Sequence, residues 1–182
     1  MKKSTYVCLI RGINVGGRNI IKMDRLRKAF EALGYEDVRT YVQSGNVIFK
    51  SGGRAPENLS TKIEKMILGE FRIPVSVVVK TSEEMNQAVG LNPFLKQKGI
   101  DVSKLHITFL PRDPEKAALK ALDALAVPPE QLRCSGSAIY LYCPNGYGTS
   151  KLTNNILERV LAMKATTRNW NTVNKLSETA SQ

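Results

Sequence analysis

An α+β protein assembled from two copies of one β-α-β-β-α-β unit is what this sequence predicts, on three observations. Strand-like and helix-like periodicities follow one another in the same order in both halves of the chain. Each half carries a hairpin signal at its middle, Ser44-Gly45-Asn46 and Ser135-Gly136-Ser137. The 182 residues, 42% apolar and 24% charged, have an ordinary globular composition with room for one domain or two small ones. That composition sets aside disordered, collagen-like and coiled-coil classes.

The first strand is predicted over Thr5–Ile10, followed by a glycine-rich loop. The helix after it places Met23, Leu26, Phe30 and Leu33 on one face, and Gly34 ends it. Val38–Gln43 and Val47–Lys50 are β-rich runs on either side of the first hairpin turn. A helix opens near Pro56 with Leu59, Ile63, Met66 and Ile67 on its apolar stripe, and Val75–Lys80 reads as a buried strand. A trailing helix opens at Thr81-Ser82-Glu83. The second half repeats this order with strand Leu105–Leu110, a helix from Pro114 to Leu125, and a strand near Leu132–Cys134. Strand Ala138–Cys143, helix Ser150–Leu161, strand Ala165–Thr167 and a final helix from Arg168 or Asn169 complete it. The hairpins align at an offset of 91, with Ser44-Gly45-Asn46-Val47-Ile48-Phe49 over Ser135-Gly136-Ser137-Ala138-Ile139-Tyr140.

Units of this kind usually form a ferredoxin-like sheet with both helices on one face and strand order 4-1-3-2. The expectation is therefore duplicated ferredoxin-like subdomains, residues 1–90 and 104–182, joined by a linker over residues 91–103 that contains Asn92-Pro93-Phe94 and Gly99. In each unit strands 1 and 3 are antiparallel neighbours, so the loop after strand 1 and the hairpin before strand 3 share one end of the sheet. Arg11–Asn19 is thereby predicted beside Gln43–Asn46. At the opposite end of the second unit, Asn145–Lys151 is predicted near Thr166–Trp170.

Charge is where the chain departs from average. There are 27 Lys and Arg against 16 Asp and Glu, a net +11, and residues 1–54 hold 11 basic and 4 acidic side chains, a net +7. A basic excess favours anionic partners, nucleic acid or phosphorylated metabolites, without naming one. Cys8, Cys134 and Cys143 form no Cys-x-x-Cys pair and His106 is the only histidine, so neither a structural zinc site nor any other metal or cofactor is predicted. Sparse, odd-numbered cysteines fit a reducing cytoplasm. Lys2-Lys3 followed by Tyr6–Ile10 superficially resembles a signal peptide, but Arg11 ends the apolar run too early. No stretch approaches the ~20 apolar residues of a membrane span. A soluble, cytoplasmic protein without a membrane partner is the expectation.

Two clusters attract a chemical reading. Arg11-Gly12-Ile13-Asn14-Val15-Gly16-Gly17-Arg18-Asn19 lies between a strand and a helix, where glycines let backbone N–H groups converge on an anion and the arginines add charge. Its spacing fits neither the dinucleotide fingerprint nor the Walker loop. With Gln43, Ser44 and Asn46 alongside, small polar groups and arginines gather at one sheet end. The second cluster pairs Gly146-Tyr147-Gly148-Thr149-Ser150-Lys151 with Thr166-Thr167-Arg168-Asn169-Trp170. There Ser150 or Thr149 reads as an N-cap and Trp170 as a packing anchor, which leaves Arg168 and Asn169 to explain. Hydrolytic chemistry finds no support: His106 sits in an alternating strand, and no nucleophile–base or paired-carboxylate spacing can be assembled. Tyr140 with Tyr142, and Arg39 with Tyr41, fall on common strand faces as RNA-stacking platforms require, but neither third strand has the basic-Gly-aromatic signature.

Arg11-Gly12-Ile13-Asn14-Val15-Gly16-Gly17-Arg18-Asn19, Thr40-Tyr41-Val42-Gln43-Ser44-Gly45-Asn46-Val47 and Thr166-Thr167-Arg168-Asn169-Trp170-Asn171-Thr172-Val173, with Asn92-Pro93-Phe94 and Ser150-Lys151-Leu152, together resemble an uncharacterised bacterial family of unknown function marked by an RGINVGG loop. The resemblance covers essentially the whole chain and implies a duplicated ferredoxin-like architecture, with no activity to carry over. The function expected from the residues is binding of a small anionic ligand, phosphorylated or carboxylated. Its site is expected at Arg11, Asn14, Gly16, Gly17, Arg18, Ser44 and Asn46, joined by Arg168 and Asn169. The alternative is a nucleic-acid-binding module using the basic N-terminal face, where Lys22, Arg25, Arg27 and Lys28 follow phosphates. A protein-interaction module is a third reading.

Overall fold

In the first half of the chain, strands β1 (Lys3–Arg11), β2 (Glu36–Tyr41), β3 (Asn46–Gly52) and β4 (Ser76–Thr81) alternate with helices α1 (Met23–Ala32) and α2 (Pro56–Phe71), and α3 (Ser82–Gly90) follows. The second half gives β5 (Leu105–Phe109), α4 (Lys116–Asp123), β6 (Gln131–Ser135), β7 (Ala138–Tyr142), α5 (Asn154–Leu161), β8 (Thr166–Asn169) and α6 (Trp170–Ala180). This computed structural model describes residues 3–53 and 55–182; Lys2 and Arg54, counted in the basic excess, lie outside the described residues. The strands form two four-stranded antiparallel sheets in the orders β2-β3-β1-β4 and β6-β7-β5-β8. Each is the ferredoxin-like order, so the chain is α+β with the βαββαβ unit occurring twice.

The chain clusters into two compact units, Met1–Asn86 with Leu176–Gln182, and Gln87–Lys175. In the first, Cys8, Ile10, Val47 and Phe49 from the sheet pack with Leu26 and Phe30 of α1 and Leu59 and Ile63 of α2. Phe49 meets Tyr35 at 4.5 Å and Phe30 edge-on at 5.5 Å between ring centroids. In the second, Leu110, Ile139 and Leu141 pack with Leu122 and Leu157. The alternate strand residues, Val7, Leu9 and Ile48 in one unit and Ile107, Phe109 and Tyr140 in the other, are buried as well. Tyr140, 1% exposed, is therefore no stacking platform for a base. Residues 91–103 contain two short 3₁₀ turns, Pro93–Lys96 and Val102–Lys104. Phe94 is buried there, 6.3 Å from the Tyr142 ring and 6.0 Å beneath the Arg133 guanidinium.

The duplication is visible in single hydrogen bonds. The Ile10 amide donates to the Gly45 carbonyl at 2.8 Å, and the Leu110 amide to the Ser137 carbonyl at 2.9 Å. The Glu64 carboxylate of α2 accepts from the Val77 amide at 2.8 Å, and the Glu158 carboxylate of α5 from the Ala165 amide at 2.9 Å. These equivalences correct the hairpin alignment. Asn46 pairs with Leu9 and Ala138 with Phe109, so corresponding third-strand residues lie 92 apart, not 91. The physical reason is loop length: four residues, Val42–Gly45, separate Tyr41 from Asn46, whereas only Gly136 and Ser137 separate Ser135 from Ala138. Matching Ser-Gly dipeptides aligned the turns and slipped the strands by one.

Helix starts also differ from expectation. α3 opens as predicted with a capping box: the Glu84 amide donates to Thr81 Oγ1 at 3.1 Å and the Thr81 amide to Glu84 Oε2 at 2.8 Å. The helix predicted from Ser150 begins instead at Asn154, because Tyr147–Thr149 forms a 3₁₀ turn and Ser150 Oγ accepts from the Leu152 amide at 2.9 Å. The last helix begins at Trp170 instead of Arg168 or Asn169, because Thr166–Asn169 pairs with His106–Phe109 as a strand. Asn169 then caps it, its Oδ1 accepting from the Thr172 amide at 2.8 Å.

Gly45 is the most closely packed glycine described in the first unit. At φ +73°, a Cβ built there meets Ile10 O and Ile13 Cγ1 at 2.9 Å each, while one built on Gly16 at φ +57° meets nothing within 4 Å. Gly16→Ala is expected to cost about 1 kcal/mol of left-handed strain, and Gly45→Ala that strain plus a backbone clash, roughly 2–4 kcal/mol in all. Urea denaturation of the two variants checks this ordering; equal midpoints would refute it.

Candidate functional site

The loop after β1 is built by burying its ends and bonding its middle. Ile13 and Ile21 are buried in the first unit's core. Between them Asn14, at φ 54°, places its side-chain amide among three chain segments. Its Nδ2 donates to Ile21 O at 2.9 Å and to Gln43 O at 2.8 Å, and its Oδ1 accepts from the Ile21 amide at 2.8 Å. Asn19, also left-handed at φ 53°, donates from Nδ2 to Gly12 O at 2.8 Å. The adjacency predicted between Arg11–Asn19 and Gln43–Asn46 is therefore a direct hydrogen bond.

At the tip, Val15 and Arg18 pair across a two-residue turn, the Arg18 amide donating to Val15 O at 3.1 Å. Positive φ at both central residues, Gly16 (57°) and Gly17 (74°), makes it a type I′ turn. The Gly16 and Gly17 amides have no protein acceptor among the described residues. Arg18 is exposed and Arg11 half-buried, and no acidic residue occurs between positions 11 and 23. Asn46 is fully buried, its Nδ2 donating to Tyr41 O and Ser44 Oγ at 3.1 Å each. The amides of Asn14 and Asn46 thus brace the two loops; Gly16, Gly17 and Arg18 are exposed at the tip, and Arg11 and Ser44 are half-buried behind it. Of the basic residues on α1, Arg25 pairs with Glu70 at 3.0 Å and Arg27 with Glu31 at 2.8 Å.

Arg168 and Asn169 lie in the second unit, at the far end of β8. Arg168 Nη1 donates to Thr166 Oγ1 and Thr167 O at 2.9 Å each, and Asn169 is occupied as the α6 cap. The predicted proximity of Asn145–Lys151 to this strand end holds. His106, paired with Asn169, stacks on Tyr147 at 4.8 Å, and Thr167 Oγ1 donates to Asn154 Oδ1 at 2.7 Å. Burial holds the His106 imidazole below its ordinary pKa of 6.5, against a weaker opposing contact with Lys104 O. Burial also pushes up the Cys134 and Cys143 thiols; Asp113 and Asp123 add to it at Cys134, while at Cys143 a hydrogen bond with Ser150 opposes it and Glu130 adds a smaller push upward. Among the described residues no three His, Cys, Asp or Glu side chains gather as metal ligands. Residue types gave no sign of one recurring feature: a groove of about 310 Å³ beside Ala29, Ala32 and Met66 in the first unit has a counterpart of about 380 Å³ beside Ala118, Ala121 and Met163 in the second.

Two measurements test this geometry. Asn14→Ala loses three hydrogen bonds and is expected to cost about 2–4 kcal/mol by chemical denaturation. Asn14→Asp should be no better at neutral pH, since an ionised carboxylate cannot donate to Ile21 O and Gln43 O; a near-wild-type midpoint for it would contradict the bonding described. For His106 the folded protein refuses a proton that the unfolded chain accepts, so its contribution is complete above pH 6.5 and lost as pH falls below that value. The thermal midpoint of the wild type should fall more steeply from pH 6.5 towards about 5 than that of His106→Gln.

No curated protein matches the sequence. Among solved structures the chain is similar to the conserved bacterial protein SP0830 from Streptococcus pneumoniae, with 23% identity, 98% of this chain and 99% of that one covered, and a TM-score of 0.76. At that identity the likeness is one of fold. The sequence match to a family model covers residues 3–140, which takes in both bracing asparagines and stops upstream of Arg168 and Asn169. The chain belongs to this family, described as a protein of unknown function, DUF1697.

Proposed function

We propose that the chain binds an anionic group, phosphate or carboxylate, at the rim formed by Arg11, Gly16, Gly17, Arg18 and Ser44, with Asn14 and Asn46 as positioning residues. One observation carries this reading: a loop fixed by the Asn14 bonds leaves two adjacent exposed amides without a protein acceptor among the described residues, beside an exposed Arg18 and over a stretch without an acidic residue. Fixed amides and a guanidinium bind an oxyanion with little further ordering, so their contribution survives the entropy of association. Arg168 and Asn169 are left out, since a strand end and a helix cap already employ them.

The nucleic-acid reading is weaker. Phosphate tracking along α1 draws on Lys22, Arg25, Arg27 and Lys28, and two of these four are engaged by Glu70 and Glu31. Three free thiols support a reducing, cytoplasmic location. No helix among the described residues is long and apolar enough to cross a membrane.

Titration of isotope-labelled protein with pyrophosphate tests the proposal. Saturable shifts of the Gly16, Gly17 and Arg18 amides are expected, together with thermal stabilisation that Arg11→Ala/Arg18→Ala abolishes. Stabilisation retained in the double variant would sink the idea. A steep log–log salt dependence of duplex DNA binding, with the loop amides unmoved, would favour the nucleic-acid reading.

A further inference from the structure

We infer that the same tip is a peripheral membrane-docking face, taking its anion from the phosphates of an anionic lipid surface. This rests on the anion-binding reading above and adds an apolar contact to it. Three large aliphatic side chains stand exposed at this end of the first unit: Val15 at 62%, Ile20 at 64% and Val42 at 51%. Val15 and Ile20 stand on the loop between β1 and α1 and Val42 in the β2–β3 hairpin, and Asn14 ties the two loops together. Val15 follows Asn14 directly; Ile20 lies between Asn19 and Ile21, both bonded to Asn14; Val42 precedes Gln43, which accepts from Asn14 Nδ2. Single exposed aliphatics are ordinary, but three on two loops bonded to each other concentrate apolar surface at one end of the sheet. Arg11, Arg18 and Lys22 accompany it, and neither positions 11–23 nor 40–46 contain an acidic residue.

The shape of the tip argues for a lipid surface. Residues 15–20 are all exposed and a Cβ built on Gly12, Gly16 or Gly17 meets nothing within 4 Å, so the loop presents an open surface to solvent. A protein partner would need a cavity shaped to receive it. A bilayer interface is soft and accepts projecting aliphatic side chains at the headgroup boundary, where basic residues meet the phosphates. Duplex nucleic acid offers the phosphates without an apolar phase for the aliphatics. The absence of a long apolar run bears on spanning a membrane and does not register residues brought together from two loops.

The experiment is co-sedimentation of the full chain with vesicles of phosphatidylcholine containing about a third phosphatidylglycerol, against pure phosphatidylcholine vesicles. Binding is expected to the anionic vesicles only. Val15→Ser/Ile20→Ser/Val42→Ser should lower the partition coefficient on the order of tenfold with its thermal midpoint unchanged, and Arg11→Ala/Arg18→Ala should abolish sedimentation. Failure to sediment even with pure phosphatidylglycerol vesicles overturns the membrane inference; if pyrophosphate still shifts the loop amides, the anion reading stands without it, and if it does not, both fall. Vesicle binding undiminished in the serine variant also overturns it, as the contact would then be electrostatic alone. Duplex DNA displacing wild type and serine variant equally from vesicles would assign the surface to nucleic acid and overturn it too.

Discussion

The side-chain amide of Asn14 is the interaction on which the loop end of the first unit depends. A carboxamide offers two donors and an acceptor in one plane, and the surrounding backbone presents the matching set: the carbonyls of Ile21 and Gln43 and the amide of Ile21. Each of those backbone groups is costly to leave unpaired near a core. The residue occupies left-handed backbone at φ 54°, where asparagine is tolerated better than other side chains. Aspartate lacks the donors and glycine lacks the whole group. One residue type therefore satisfies both the conformation and the bonding, and the glycine turn, the start of α1 and the β2–β3 hairpin all take their positions from it.

Charge placement is consistent with a loop whose order is built in. Residues 1–54 contain four acidic side chains, and three of them are paired away from the tip: Glu36 with Lys3, Asp37 with Lys50 and Glu31 with Arg27. Exposed pairs of this kind contribute little to stability. Their effect is on the field: beyond about 10 Å exposed charges are largely screened, so what an approaching anion senses is the local composition of the loop. There every charged residue between positions 11 and 23 is basic.

Element order and sheet topology were legible because periodicity reports which face of each segment is buried, and handed crossovers do the rest. Hydroxyl and amide side chains were less legible, since one residue type serves caps, turns and ligands alike. Thr149 and Ser150 resembled an N-cap, yet Ser150 bonds the Leu152 amide several residues before α5 begins. Asn14 and Asn46 read as ligand contacts because they sit among glycine and arginine, and the carbonyls that occupy them, Ile21 and Gln43 for Asn14 and Tyr41 for Asn46, come within reach only when the loops fold back. The exposed aliphatics at 15, 20 and 42 left no periodic signal at all.

The two extra residues in the β2–β3 hairpin mark a place where the unit tolerates a change of length. Ile10–Gly45 and Leu110–Ser137 show that the strand register behind the turn is the same in both copies, so the difference in loop length leaves the pairing untouched. The second copy, with its two-residue turn, is the fold at its minimum. The longer turn of the first copy gives Asn14 a carbonyl to hold, at Gln43. Loop length at this end of the unit is thus uncoupled from strand pairing, and the same scaffold carries either a bare turn or a turn that braces its neighbouring loop.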